Sequence, residues 1–489
     1  MTQSIQLPLN TKPYYNSDSV ASSTSPDDMV DCYMEAVPGF GYVTRRRPGL
    51  KAFGNTSTGL AGDGLFYWDA LELVIAVSGG KAFKVESDGT CTEITGTFPG
   101  SSGTTCIFAD GQALDGTPWL YMAASDLVYT TDAVSMTAPV DASTPAATHI
   151  GWINGRFIGN VPTTNQWYFT DTNPGTGDIE NDYWGSTDNP LTCEAHADDL
   201  KALFAVYQDI YAWGSQGLEI WQDDGATPFV PIQGAFTKAG LEAIYGYTIA
   251  DNTVFAVCVI DGKRVIIRMA GRQPQVISEP IARNLADMSD VYDATATVIC
   301  AGGLAIVLFC FPTAGESWAY DYKSDIWYKW GYWDVGTSLH TRFLGQHSCF
   351  AKAWNKHLIQ SRADGKIYEI DRDTYEDDSA IMVSYRKTGW IDHNTWSRKR
   401  CHRLIVKAKV FATSATSTTL SVRWRNDGNP VYENWVSVSL NLNPSNQGIF
   451  TIPITRVGMY RSRQYEFRLT SDQDLVLVGA TEEIEIMNN

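Results

Sequence analysis

The sequence predicts an all-β protein, a degenerate six- or seven-bladed β-propeller followed by a C-terminal β-sandwich. Two observations carry this: short aromatic strands recur every 40 to 50 residues or so through most of the chain, and strictly alternating strands fill its last part. A third sets the class. The longest apolar run, LAIVLFCF from Leu304 to Phe311, suits a buried strand and is far short of the ~20 residues of a membrane-spanning helix.

Residues 1–55, rich in Ser, Asp and Pro, carry little pattern and read as an extended N-terminal arm. MTQSIQLPLN breaks at Pro8 with no basic-then-apolar leader, so a soluble, unexported chain is expected.

Residues 56–378 read as the propeller. The stretch DIYAWGSQGLEIWQDDG, 209–225, is a hairpin: Ile210 and Ala212 alternate with Tyr211 and Trp213, and Leu218 and Ile220 resume the alternation after Gly214 and Gly217. Similar aromatic strands centre on Phe83, Tyr129, Tyr168, Ile220, Ile267, Tyr320 and Tyr368, separated by 46, 39, 52, 47, 53 and 48 residues. Most follow another apolar run, as in LELVIAV and GLAIVLF, and several precede a turn and a further strand. Repeats of this size with several short strands match propeller blades, and the 209–225 unit reads as one blade's inner hairpin. A small sheet has two apolar faces that it cannot bury alone, whereas blades stacked round an axis cover one another, and 16 Trp and 24 Tyr supply large wedges between them. A barrel, the structural rival, needs no such period.

Residues 379–489 follow the acidic turn DRDTYEDD and read as the sandwich. HRLIVKAKVFA, TTLSVRWRND, NWVSVSLNL, GIFTIPI, RQYEFRLTS and DLVLVGATEEIEIM alternate apolar with polar residues and are joined by turns such as NDGNP.

The net charge of -18 argues against a general nucleic-acid binder. Residues 380–489 hold 14 Lys+Arg and 9 Asp+Glu, a net of +5; subtracting from 37 and 55 leaves 23 and 46 over residues 1–379, a net of -23. The nine cysteines show no CxxC and read as reduced, with Cys258 and Cys310 as core residues and Cys401-His402 lacking further metal ligands nearby.

No GxSxG, HExxH, P-loop or strand-linked GxGxxG is present. The acidic groups Asp198-Asp199, Asp223-Asp224, Glu376-Asp377-Asp378 and Glu482-Glu483 are the candidates for general acid/base work. Adjacent carboxylates in a strand face opposite ways and in turns are solvated, so the solvated-turn reading is preferred. SDGT at Ser87 lacks a sialidase Asp-box spacing. Asp371 and Asp373 begin an EF-hand-like spacing, but Glu376 replaces the required glycine and Met382 the bidentate glutamate, so calcium is not expected. The run Arg45-Arg46-Arg47 is either a solvated face or a contact to an acidic partner surface.

IQLPL, DMVDCYMEAVP and GYVTRRRPGLKAFG, then LKALFAVYQDIYAWGSQGLEIWQDDGATPFVPIQG, and finally RSRQYEFRLTSDQDLVLVGATEEIEI, resemble in order the packaged-DNA stabilisation proteins of short-tailed phages. Asp31-Cys32 stand where that family has Asn-Met. The resemblance implies a structural virion protein, a tail hub or nozzle. Its relatives form a six-fold tube below the portal-adaptor ring that retains packaged DNA and conducts it out. It implies no enzymatic activity and no cofactor. The partners implied are a homohexamer, the head-tail connector, tail needle or fibre/spike proteins, and phage DNA passing without sequence-specific binding; no membrane insertion by this chain is expected. The location implied is the virion tail, with host cytoplasm during assembly. Under this reading Arg45, Arg46 and Arg47 are candidate interface residues, and Asp223 and Asp224 candidate acidic lining of a bore. The alternative is a propeller glycan hydrolase or glycan-binding module.

Overall fold

The computed structural model describes residues 2–9, 28–39, 41–113, 116–139, 144–170, 184, 190–195, 198–224, 229–411, 416–442, 449–471 and 473–487. Seven small antiparallel units follow one another in chain order, each with its innermost strand beside the central axis. These innermost strands are Gly62–Trp68, Ile107–Gln112, Ile150–Ile153, Leu200–Val206, Tyr247–Ala250, Thr295–Ile299 and Gly345–Ala351. The period is thus resolved as seven blades. All seven central residues of the aromatic strands, from Phe83 to Tyr368, fall in the third strand of their blade.

The 209–225 hairpin differs from expectation in one respect. Asp209–Gly214 and Leu218–Gln222 are the second and third strands of blade 4, with Leu200–Val206 inside them. The second and third strands are wedged between blades on both faces and so carry the strongest apolar signal. The innermost strand faces the axis on one side and reads weaker.

The ring is closed by the N-terminal region. Blade 7 comprises Gly345–Ala351, Lys356–Ser361 and Lys366–Asp371, and its fourth strand is Gly49–Asn55, antiparallel to Lys366–Asp371. Backbone hydrogen bonding thereby ties the two ends of the propeller together and leaves no open blade edge at the junction. Gly49 is required at the entry, because a Cβ there would sit 2.5 Å from the carbonyl oxygens of Thr374 and Glu376.

Between every pair of neighbouring blades lies an apolar cluster, and the period-2 alternation of each strand feeds the clusters on its two sides. Leu120 and Met122 pack towards blade 1 with Ile75 and Val77, whereas Trp119 and Tyr121 pack towards blade 3 with Phe157. The seam between blades 7 and 1 is made by Leu358 and Ile367 against Val74 and Ala76.

The C-terminal body is a sandwich. One sheet orders Cys32–Val37, Gly41–Arg46, Asp474–Ile486, Lys399–Phe411 and Ile449–Tyr460, with Thr2–Gln6 also paired to Asp474–Ile486. The facing sheet contains Ser384–Lys387, Arg463–Thr470, Thr416–Asn426 and Val436–Leu442. Leu404, Val406, Val422, Phe467 and Leu477 lie fully buried between them. Met29–Val30 joins this second sheet to blade 6 by pairing with both Ile326–Lys329 and Ser384–Lys387.

The described parts of residues 1–55 are therefore strands of both bodies, not an extended arm, and the propeller draws its last strand from before residue 56. Short strands with one or two pairings carry little alternation of their own, because their partners bury them.

Candidate functional site

Arg45 and Arg46 end the strand Gly41–Arg46, and Arg47 follows it, where the sandwich meets the propeller. Arg45 pairs with Glu35 and, at 3.0 Å, with Asp474. Arg46 is buried and donates to the carbonyls of Ser471, Tyr375 (3.0 Å) and Met382 (2.9 Å); burial lowers its pKa to about 10. Arg47 is 0% exposed. Its Nε donates to Asp31 at 2.7 Å, and Nη1 and Nη2 reach both Asp377 oxygens at 2.9 and 2.5 Å. Nη2 also donates to the Gly331 carbonyl, and the guanidinium lies 4.6 Å from the Phe343 ring centroid. The carboxylates outweigh the burial of Arg47 and raise its pKa, while its charge and His340 hold the Asp31 carboxyl below the ordinary value against the desolvation that would raise it.

This corrects the reading of the run as a solvated face or a contact to an acidic partner. Arg46 and Arg47 have their partners within the chain, and the arrangement is a clasp between propeller, N-terminal strands and sandwich. A bidentate, planar guanidinium satisfying two carboxylates is what makes such burial tolerable. The sequence hid it because Asp31 and Asp377 lie 16 and 330 residues from Arg47. The one signal was a charged residue, Asp31, inside the otherwise apolar MVDCYM.

Along the propeller axis runs an open space of about 670 Å³, lined mainly by the innermost strands of all seven blades. Phe66, Phe108, Trp152, Phe204 and Tyr247 give it an aromatic wall. His347 and His357 also face it, and desolvation lowers each to a pKa of about 4, so both imidazoles are neutral at physiological pH.

The acidic groups separate. Asp198 accepts from the Ser215 hydroxyl and the Gln216 N–H in a loop. Asp223, just past the third strand of blade 4, accepts from Asn154 at 3.2 Å, and Asp224 is exposed beside it. This puts both carboxylates on the rim of the blade rather than at the propeller axis. The solvated-turn reading fails for two residues. Asp377 is buried in the clasp, and Glu482 is buried in the sandwich, where it accepts from His393 at 2.7 Å, Tyr460 at 2.8 Å and Tyr465. Burial would raise the Glu482 carboxyl, but the bonds from His393 and Tyr465 and the charge of Arg463 hold it below its ordinary value. At 0% exposure it is a structural anchor, with no path for a substrate. Among the described residues no three His, Cys, Asp or Glu side chains are placed to hold a metal ion, and all nine cysteines are free thiols. No helix of the described residues is long and apolar enough to cross a membrane.

The family model Phage_stabilise, described as bacteriophage P22 Gp10, beta-propeller, matches residues 5–375. No curated protein matches the chain. Among solved structures, the extracellular domain of the hybrid two component system BT4673 from B. thetaiotaomicron is similar at 10% identity and TM-score 0.42, over 73% of this chain and 43% of that one. The chain thus spans less than half the length of that neighbour. The WD40 beta propeller domain of Doa1 is similar at 8% identity and TM-score 0.39, over 67% and 97% of the two chains. The N-terminal domain of Nup159 is similar at 9% identity and TM-score 0.39, over 71% and 99%. With TM-scores below 0.5, these three likenesses carry no argument.

Proposed function

Because the chain belongs to the phage-stabilisation family of the bacteriophage P22 Gp10 β-propeller, we propose that this phage structural protein is the hub or nozzle of a short-tailed tail. In this reading six copies form a tube below the portal-adaptor ring, hold packaged DNA in the head and later conduct it out, with tail needle or fibre/spike proteins as further neighbours. The protein acts in the virion tail and assembles in the host cytoplasm.

The observation that carries the tube is the narrowness of the propeller axis. A space of about 670 Å³ walled by aromatic rings has the size of a small-molecule cavity, whereas the major groove of a DNA duplex alone is about 12 Å wide. DNA therefore has no route through one copy, and a conduit has to lie between copies. Closed rings of identical chains are the usual way to enclose such a bore. The negative charge of residues 1–379 fits a wall that does not capture phosphates, since each basic contact would add salt-sensitive affinity and slow passage. Asp223 and Asp224, on the rim of blade 4, are the leading residues for that lining.

The test is a phage carrying a stop codon early in this reading frame, complemented or not by the intact chain. Heads made without the protein should package DNA and then lose it. Heads that keep their full DNA content without the chain would overturn the retention role.

A further inference from the structure

The seven-bladed ring leaves an axial space of about 670 Å³, and no step of DNA retention or passage uses it. Its volume falls in the range of cavities that take small organic ligands, about 300 to 1,000 Å³. The space is open to solvent, since two of its wall residues, Ile249 and Phe350, are exposed.

The wall is apolar and flat-faced. Phe66 of blade 1 and Phe108 of blade 2 stand at 13° with ring centroids 5.4 Å apart, and Phe204 of blade 4 lies at the same angle to Tyr247 of blade 5, at 4.3 Å. All four belong to innermost strands, whose backbones are fixed by their blades. An incoming ring meets aromatic groups already set in place, and ring pairs gain stabilisation beyond the area they bury.

Charge narrows the class of ligand. Among the described residues the wall holds no lysine or arginine and a single carboxylate, exposed Asp110, whose pKa desolvation raises. A phosphate or carboxylate would lose its water here and gain no counter-charge. A cation would find only Asp110, in surroundings that already oppose its charge.

One polar group of the wall is left over. His357 faces the space at 5% exposure, and neither of its ring nitrogens has a hydrogen-bond partner of ordinary geometry among the described residues. The hydroxyls of the same seam, between blades 6 and 7, are already used: Thr297 and Ser348 share a bond at 2.7 Å, and Ser348 donates to the Val298 carbonyl at 2.6 Å. A neutral imidazole carries one N–H donor and one bare nitrogen acceptor. A ligand that bonds to this buried group therefore gains more than one held by apolar contact alone.

We infer that the propeller axis of each chain is a binding site for a small, neutral, planar heteroaromatic molecule, held by ring stacking and by a hydrogen bond between one of its ring nitrogens and the His357 imidazole. The site is complete within one chain and does not depend on a ring of copies.

The test is titration calorimetry on the purified full chain at pH 7.5 with benzimidazole, a flat neutral molecule that carries one N–H and one bare ring nitrogen. It should bind at one site per chain. Indene, of the same shape without nitrogen, should bind about tenfold more weakly. Benzimidazole-5-carboxylate and benzyltrimethylammonium, one anionic and one cationic, should bind more weakly than benzimidazole as well. His357→Phe should bring benzimidazole down to the affinity of indene and leave indene unchanged, with a thermal melt at the same pH showing that the variant is folded. No saturable binding of benzimidazole, equal affinity for indene, or a benzimidazole affinity untouched by His357→Phe overturns the inference. Tighter binding of either charged compound overturns it too. The comparison of benzimidazole with indene on the wild-type chain stands without the variant.

Discussion

Removing the Arg47 guanidinium leaves Asp31 and Asp377 buried without the group that bonds both, so Arg47→Ala should destabilise the fold by about 3 to 5 kcal/mol. Arg47→Lys should recover little, because a single ammonium cannot span both Asp377 oxygens and Asp31. Urea unfolding midpoints measure this, and a loss under about 1 kcal/mol for the alanine variant would contradict the clasp. A second residue-scale expectation concerns acid. Desolvation lowers His149, fully buried just before Ile150–Ile153, and His357 to about 4, below the unfolded value, so the unfolded chain takes up protons first as the pH falls. The stability is fully present above about pH 6.5 and is lost progressively between 6.5 and 4, on the order of 3 kcal/mol per imidazole. Neither ring nitrogen of His357 finds a hydrogen-bond partner of ordinary geometry, although the Val298 backbone close by slightly favours its protonated form. His357→Phe should therefore cost little at pH 7.5 and leave the protein more stable than the wild type at pH 5, as read by thermal melts. An unaltered acid response would show that this imidazole stays unstrained. At this scale the sequence was least legible. It displayed the arginine run and the acidic groups, but which of them were buried depended on pairings hundreds of residues apart.

The strand that closes the ring is the element on which the propeller most depends. Gly49→Ala would drive a methyl group into the Thr374 and Glu376 carbonyls and shift the start of Gly49–Asn55, at a cost of about 1 to 3 kcal/mol. The expected signature is faster hydrogen exchange in both Gly49–Asn55 and its partner Lys366–Asp371, with the sandwich amides unchanged. Exchange that rises evenly over the whole chain would mean that closure is not locally fixed. Elements were the most legible level. The six alternating segments after residue 400 all appear as sandwich strands, and the seven aromatic centres all mark third strands, because these are the strands packed on both faces. The closing strand escaped the reading for a physical reason. Its hydrogen-bond partner lies more than 300 residues away, and LKAFG carries only Leu50 as a fully buried anchor. Thr2–Gln6 and Met29–Val30 escaped likewise, being short strands that acquire their sheet only from strands far along the chain.

Across the whole molecule, charge and topology bear on one question, how copies of this chain enclose DNA. The period predicted a propeller but not its number of blades, because the seventh is composed from both ends of the repeat region. If the rim of blade 4 lines the bore, virions with Asp223→Lys and Asp224→Lys should release DNA more slowly at low salt and approach wild-type rates as salt screens the added charges. Release unaffected at every salt concentration would leave the acidic surface with a role in solubility alone. The central claim is that the passage lies between copies because the axis of each copy is too narrow for duplex DNA. An electron cryo-microscopy reconstruction of the tail in the intact virion tests it most directly. The account predicts six copies of this chain round a continuous bore wide enough for duplex DNA, with seven closed blades in each copy and no DNA density along any propeller axis. A single copy per tail, or DNA density threading a propeller, would contradict it.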